Sequence, residues 1–136
     1  MLGILPQQTT RIYAASYKTS HVGQSWQFAI FMEMQGRLFC RYEEEAGEAV
    51  LYVYELQVED HCQRKGIARL LMRLMELVAL KLGFHSVMLT VMQANLSAIT
   101  LYNSLGYTKH AICPPPPQDG SAGYLILSKE ISTKKQ

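Results

Sequence analysis

Apolar positions recur along this 136-residue chain with two different periods, and the change from one to the other divides it. From Ser25 to Met34 the run Trp26-Gln27-Phe28-Ala29-Ile30-Phe31 is β-prone, Gln35-Gly36 breaks it, and Arg37 to Glu43 resumes a strand, which is a hairpin signature. A second break at Glu45-Ala46-Gly47 leads into Val50 to Val58, dense in β-branched and aromatic residues and expected to be the central strand. Beyond Gly66 the period becomes helical. Ile67, Leu70, Leu71, Leu74, Val78 and Leu82 recur at spacings of three and four, Arg69, Arg73, Glu76 and Lys81 lie mostly elsewhere, and Gly83 is placed to stop the helix. Ser86 to Met92 reads as a short buried strand, so strand, helix and strand suggest a local parallel crossover. A second helix opens near Asn95, a suitable N-cap, carries Ala98, Leu101, Tyr102 and Leu105 inward, and ends at Gly106. Tyr107 to Ile112 and Tyr124 to Ile131 are expected to pair, joined by Pro114 to Gly120, which cannot enter a ladder and must be a stiff exposed loop.

The length and a 49% hydrophobic composition suit one domain with a proper core. Residues 1–24 lack a sustained period and read as a weakly structured segment, 25–131 as the domain, and 132–136 as a tail. A net charge of +2 gives no global basic field for gripping nucleic acid, so charge-based binding must be local. Cys40, Cys62 and Cys113 are odd in number and without C-x-x-C spacing, which argues for reduced thiols and against a disulfide framework or a zinc site. His21, His61, His85 and His110 have no mutual spacing that suggests a metal site, and no metal is expected. No signal pattern and no apolar run near the ~20 residues of a bilayer span is present, so a soluble, monomeric protein of cytoplasm and nucleus without membrane contact is expected. The methionines Met72, Met75, Met88 and Met92 read as core filler.

Candidate chemistry begins where the period changes. Gln63-Arg64-Lys65-Gly66-Ile67-Ala68 leads directly into the first helix. A loop that turns into a helix through glycine lets backbone N–H groups approach phosphate oxygens, the helix dipole adds partial positive charge, and Arg64 and Lys65 add full charges. Alone, the hexapeptide also reads as a helix start beside two solvated cations. It has the Q-x-x-G-x-A form of the acetyl-CoA loop of the GNAT superfamily of N-acetyltransferases, and Asn95-Leu96-Ser97-Ala98-Ile99-Thr100-Leu101-Tyr102-Asn103-Ser104-Leu105-Gly106-Tyr107 matches that superfamily's second signature, N-x-x-A-x-x-L-Y-x-x-x-G-[FY]. Both occur in the right order about thirty residues apart. The resemblance implies an α+β GNAT fold: a mixed, mostly antiparallel sheet splayed at its central strands, with helices on its faces. It also implies acetyl-CoA as co-substrate, held by Leu56, Gln57 and Val58 of the central strand, by residues 63–68, and by Asn95, Ser97 and Tyr102. Tyr102 falls on the position that often sits near the sulfur. A phenol of pKa about 10 could protonate a departing thiolate of pKa about 8.5, although an inward-facing helix aromatic is the plainer reading.

Within the superfamily, Tyr52-Val53-Tyr54-Glu55-Leu56-Gln57 resembles the Y-x-Y-E-[VL]-Q strand of the NatD branch, the N-terminal acetyltransferases of histone H4 and histone 2A, with similarity over about residues 37 to 130. That resemblance implies Glu55 as general base, acting directly or through water, with Tyr52 and Tyr54 lining the amine pocket and Thr90 and Tyr124 touching the acceptor. It makes the expected partners protein N-termini, of histone H4 and histone 2A in particular. At pH 7 an α-amine costs only about 1 kcal/mol to deprotonate and a lysine side chain about 4 to 5, so one modest carboxylate suffices for the former. Strict alternation would put Glu55 on the opposite face from Tyr52 and Tyr54, so a bulge is expected there. An edge-strand carboxylate paired with a nearby cation is the alternative for Glu55. Glu43 and Glu45, two apart at a strand end, can form a two-carboxylate pocket for a guanidinium, and by the resemblance they meet the arginine of a Ser-Gly-Arg-Gly start; otherwise they are a solvated hairpin end. The superfamily places a strand and two helices before the hairpin, where this chain has about 24 residues, so the domain is expected to be N-terminally shortened. Two further readings stay open: acetylation of a lysine or small amine, and a cofactor-binding domain with little activity.

Overall fold

The computed structural model describes residues 12–19, 25–32 and 35–131. Seven strands form one sheet in the order β1-β2-β3-β4-β5-β7-β6: β1 (Ile12–Thr19), β2 (Ser25–Met32), β3 (Gly36–Glu45), β4 (Glu48–Val58), β5 (Ser86–Met92), β6 (Thr108–Lys109) and β7 (Tyr124–Glu130). Neighbours are antiparallel except β4 and β5, which run parallel as the crossover through helix α1 (Ile67–Leu82) requires. Helix α2 (Leu96–Ser104) follows β5, and the Asn95 side chain caps it by accepting from the Ala98 N–H at 3.2 Å. Gly83 ends α1 in the left-handed conformation, with its N–H bonded back to Ala79 and Leu80 carbonyls.

Three sequence expectations change. Ile12–Thr19 is a strand rather than loop: its residues carry no period of their own, but all eight pair with Ser25–Met32, so the partner supplies the order. The last pair is shorter than expected, because β6 holds only Thr108–Lys109 before the chain turns toward the prolines. The buried stripe of α1 is also rotated. Leu71, Met72, Met75 and Ala79 are fully buried, Leu70 and Leu82 are exposed, and Glu76 is only 8% exposed. Its burial is compensated: Tyr107 Oη donates to Oε2 at 2.8 Å, and Lys129 Nζ at 2.9 Å and Arg73 at 3.3 Å pair with Oε1. This network ties α1 to the segment after α2 and to β7. The core of Leu38, Leu51, Leu71, Met75, Leu89, Tyr107 and their neighbours lies between the sheet and these helices.

Candidate active site

The site originates in a mismatch of strand lengths. β4 pairs with β5 only from Val50↔Ser86 to Val53↔Leu89. Beyond that point β4 continues to Val58 alongside β3 while β5 runs on to Met92, so the two strands part and the edges they turn toward each other leave the ladder. A cleft of about 790 Å³ lies there, lined by Val53 to Leu56 and Val58 on one wall, Leu89 to Met92 on the other, Cys62, Gln63, Arg64 and Gly66 to Arg69 at one end, and Asn95, Ser97, Ala98, Leu101 and Tyr102 from α2.

The parting coincides with a bulge at the expected place. Cys40 pairs with Val53 but Phe39 with Glu55, so Tyr54 is an extra residue on β4. Directly opposed residues share a sheet face. Tyr52 opposes Arg41 and Glu55 opposes Phe39, and since Phe39 and Arg41 are two apart on β3, Tyr52 and Glu55 share a face despite their odd separation. Tyr54, 43% exposed, touches Phe39 ring to ring at 6.1 Å. Tyr52 Oη and Thr90 Oγ1 are hydrogen-bonded between the two walls.

Glu55 has a cationic partner. Arg37 Nε donates to its Oε1 at 3.1 Å and Arg37 Nη2 donates to Gln57 Oε1. Both side chains of the ion pair are about 40% exposed, so the pair is worth well under ~1 kcal/mol and chiefly fixes the carboxylate's orientation. Tyr102, 8% exposed at the base of the cleft, packs edge-on against Tyr107 at 6.0 Å, and burial pushes its phenol pKa upward, which keeps its proton on at neutral pH.

The loop before α1 has backbone suited to an anion. Arg64 and Gly66 both take positive φ, 64° and 81°, a geometry that turns successive N–H groups toward one side. No side chain caps the helix and its first turn has no acidic residue, so the orphan N–H groups of the first turn face the cleft uncompensated. Gln63 Nε2 reaches Val58 O and Asp60 Oδ1, both at 3.3 Å, tethering the loop to the end of β4. These features fit a diphosphate: open amides, a left-handed glycine whose missing Cβ would face empty space, and adjacent cations.

Of the residues singled out from sequence, Tyr54, Glu55, Leu56, Val58, Gln63, Arg64, Gly66, Ile67, Ala68, Thr90, Asn95, Ser97 and Tyr102 line the cleft, and Tyr52 reaches it through Thr90. Gln57, Lys65 and Tyr124 lie outside the lining. Gln57 shares the face of Glu55, but its side-chain oxygen is taken by Arg37 across β3, and Tyr124 stands at the start of β7, opposite Met92. Glu43 and Glu45 also fall outside: they sit at the far end of β3, and Glu43 is paired with Arg41 at 2.6 Å. Met92, taken as core filler, is 54% exposed and lines the cleft. Arg37, Arg41, Cys62 and Arg69 were not singled out; Arg37 and Arg41 have no local signal because cross-strand register decides what they meet, and Arg69 on α1 donates to Ser104 Oγ of α2 at 2.9 Å, a contact set by how the helices pack.

The family model described as "Acetyltransferase (GNAT) family" matches residues 15–107. A mycothiol acetyltransferase of Geodermatophilus obscurus is 36% identical over 69 residues, 51% of this chain, and the chain covers only 22% of that curated relative. The ribosomal-protein-S18-alanine N-acetyltransferase of Escherichia coli superposes with a TM-score of 0.64 at 20% identity, over 93% of this chain and 97% of that one. Arabidopsis thaliana Naa50, solved with a bisubstrate analogue, gives 0.60 at 20% identity over 76% and 71%. At these identities the structural likenesses concern the fold.

Proposed function

The chain belongs to the GNAT family of acetyltransferases, and on that premise we propose that it transfers acetyl from acetyl-CoA to the α-amine of a protein N-terminus, with a histone-like Ser-Gly-Arg-Gly start, as in histone H4 and histone 2A, as the favoured acceptor. The observation that carries this reading is the bulge at Tyr54, which brings Glu55 to the wall of the cleft beside the parted strand edges. The amides of residues 64–68 hold the diphosphate, and the inner edge of β4 at residues 56–58 offers backbone groups to the pantetheine arm. Glu55, directly or through one water, takes a proton from the incoming ammonium. The freed amine nitrogen then forms a bond to the thioester carbon as the C–S bond breaks, and the nitrogen gives up its second proton to solvent as the amide forms. Tyr102 gives its proton to the departing sulfur and regains one from solvent. The products are an acetamide and free CoA thiol. An α-amine suits a single exposed carboxylate better than a lysine does, because its deprotonation costs about 1 rather than 4 to 5 kcal/mol at pH 7. On this reading the protein works on such acceptors in cytoplasm and nucleus.

A second reading, acetylation of a small amine, is favoured by one observation: Glu43 and Glu45 stand outside the cleft and Glu43 already has a cation. The deciding experiment is mass spectrometry of a histone H4 N-terminal peptide incubated with acetyl-CoA and the protein, with fragment ions locating the acetyl group. Acetylation at the α-amine that falls about a hundredfold in Glu55→Gln is expected. Equal product from both proteins removes Glu55 as the base, and acetylation only at lysine removes the α-amine assignment.

A further inference from the structure

Arg41 occupies an unusual place for a surface cation. It lies on β3 directly opposite Tyr52, and its guanidinium carbon stands 5.9 Å from the Tyr52 ring centroid and 5.7 Å from that of Tyr54. Its Nε is 2.6 Å from Glu43 Oε1. Two aromatic faces and a carboxylate are the ingredients of a guanidinium-binding corner, and here the chain fills it with its own side chain. The corner is continuous with the cleft, because Tyr54 belongs to both.

Its distance from Glu55 also fits. Glu55 opposes Phe39, and Arg41 is two residues further along β3, so the corner lies about 7 Å along the strand direction from the carboxylate. An extended acceptor whose α-amine is at Glu55 places its third residue about the same distance away. The occupant is held loosely: the Arg41 and Glu43 side chains are 46% and 41% exposed, where ion pairs and cation–π contacts are weak and exchange readily with solvent.

We propose that Arg41 is a specificity-determining residue, a resident guanidinium that fills the corner formed by Tyr52, Tyr54 and Glu43, so that an acceptor with a cationic third residue gains that corner only by displacing it. The inference rests on the α-amine reading and adds to it that preference for such acceptors is set by competition within the chain. Arginine at the third position therefore gains less in the wild-type protein than the corner allows, and removing Arg41 enlarges a preference that the other three residues already encode.

The test compares peptides beginning Ser-Gly-Arg-Gly and Ser-Gly-Ala-Gly on the wild type, Arg41→Ala, Arg41→Met and Arg41→Ala/Glu43→Gln. Arg41→Met keeps an aliphatic stem over the rings and guards against loss of folding in the alanine variant. The ratio of kcat/KM for the arginine peptide over the alanine peptide is expected to rise about fivefold to tenfold in both single variants, mainly through KM, as gain of one exposed cation–π and ion-pair site allows. The double variant should lose that rise. An unchanged ratio in the single variants, or a rise that survives Glu43→Gln, overturns the proposal. If no protein acetylates either peptide, the α-amine reading fails; the competition is then read by fluorescence anisotropy of the same labelled peptides, and equal or absent binding to the wild type and Arg41→Met overturns it as well.

Discussion

Two glycines with the same backbone and different surroundings separate a structural cost from a functional one. Gly66 at the start of α1 has φ of 81° and Gly47 in the β3–β4 turn has φ of 80°, and a Cβ added at either meets nothing within 4 Å. Alanine at each position therefore carries no clash, only the left-handed backbone penalty of about 1–2 kcal/mol. At Gly47 that penalty has one outlet, folding stability, and a loss of about 3–8 °C in Tm is expected for a domain of this size. At Gly66 there are two outlets. The loop can keep its conformation and lose stability, or relax when empty and lose affinity when acetyl-CoA restores it. The two losses must sum to the same 1–2 kcal/mol. Residues 64–66 are exposed and lightly held, so most should appear as affinity, a rise of about five- to thirtyfold in the Kd for acetyl-CoA. Thermal unfolding without ligand and isothermal titration with acetyl-CoA measure both parts. Gly66→Ala with native stability and native affinity refutes the claim that the left-handed turn presents the amides; so does a Gly47→Ala variant that weakens acetyl-CoA equally.

Two other outcomes follow from buried groups. Tyr107→Phe removes a donor from the buried Glu76 carboxylate and should cost about 1–3 kcal/mol in urea denaturation; an unchanged midpoint shows that Lys129 and Arg73 alone satisfy Glu76. Burial pushes the Cys40 thiol up from 9.0 to about 12, so the fold favours the neutral form. That contribution is fully present below pH 9 and is lost as pH rises from there toward 12, because the unfolded thiol ionises first; by pH 11 the loss amounts to about 3 kcal/mol. Stability should therefore fall less steeply between pH 9 and 11 in Cys40→Ala than in the wild type, and parallel curves would contradict the burial argument.

The parts of the fold that were legible in sequence are those whose signal is local. The boundaries of α1 follow from Gly66, Gly83 and a run of helical spacings, and Asn95 announces α2 because an N-cap acts within three residues. The bulge was legible as a conflict: Tyr52, Tyr54 and Glu55 can share a cleft only if alternation fails between them, and it does. What was hidden depends on distant partners. β1 takes its order from β2, and the burial of Glu76 is decided by Tyr107 and Lys129, 31 and 53 positions away. The ion pairs of Arg37 with Glu55 and Arg41 with Glu43 come from register and rotamer, which no spacing along one strand reveals. They matter most for the acceptor side of the site, where the sequence placed two carboxylates in an open pocket and the fold provides a cation for Glu43.

The most direct measurement is backbone hydrogen–deuterium exchange with and without saturating acetyl-CoA. Slowed exchange confined to residues 56–58, 64–69 and 95–98 is the predicted result, since those three segments border one cleft between the parted strands. Protection elsewhere in the sheet, or none at residues 64–69, would contradict it.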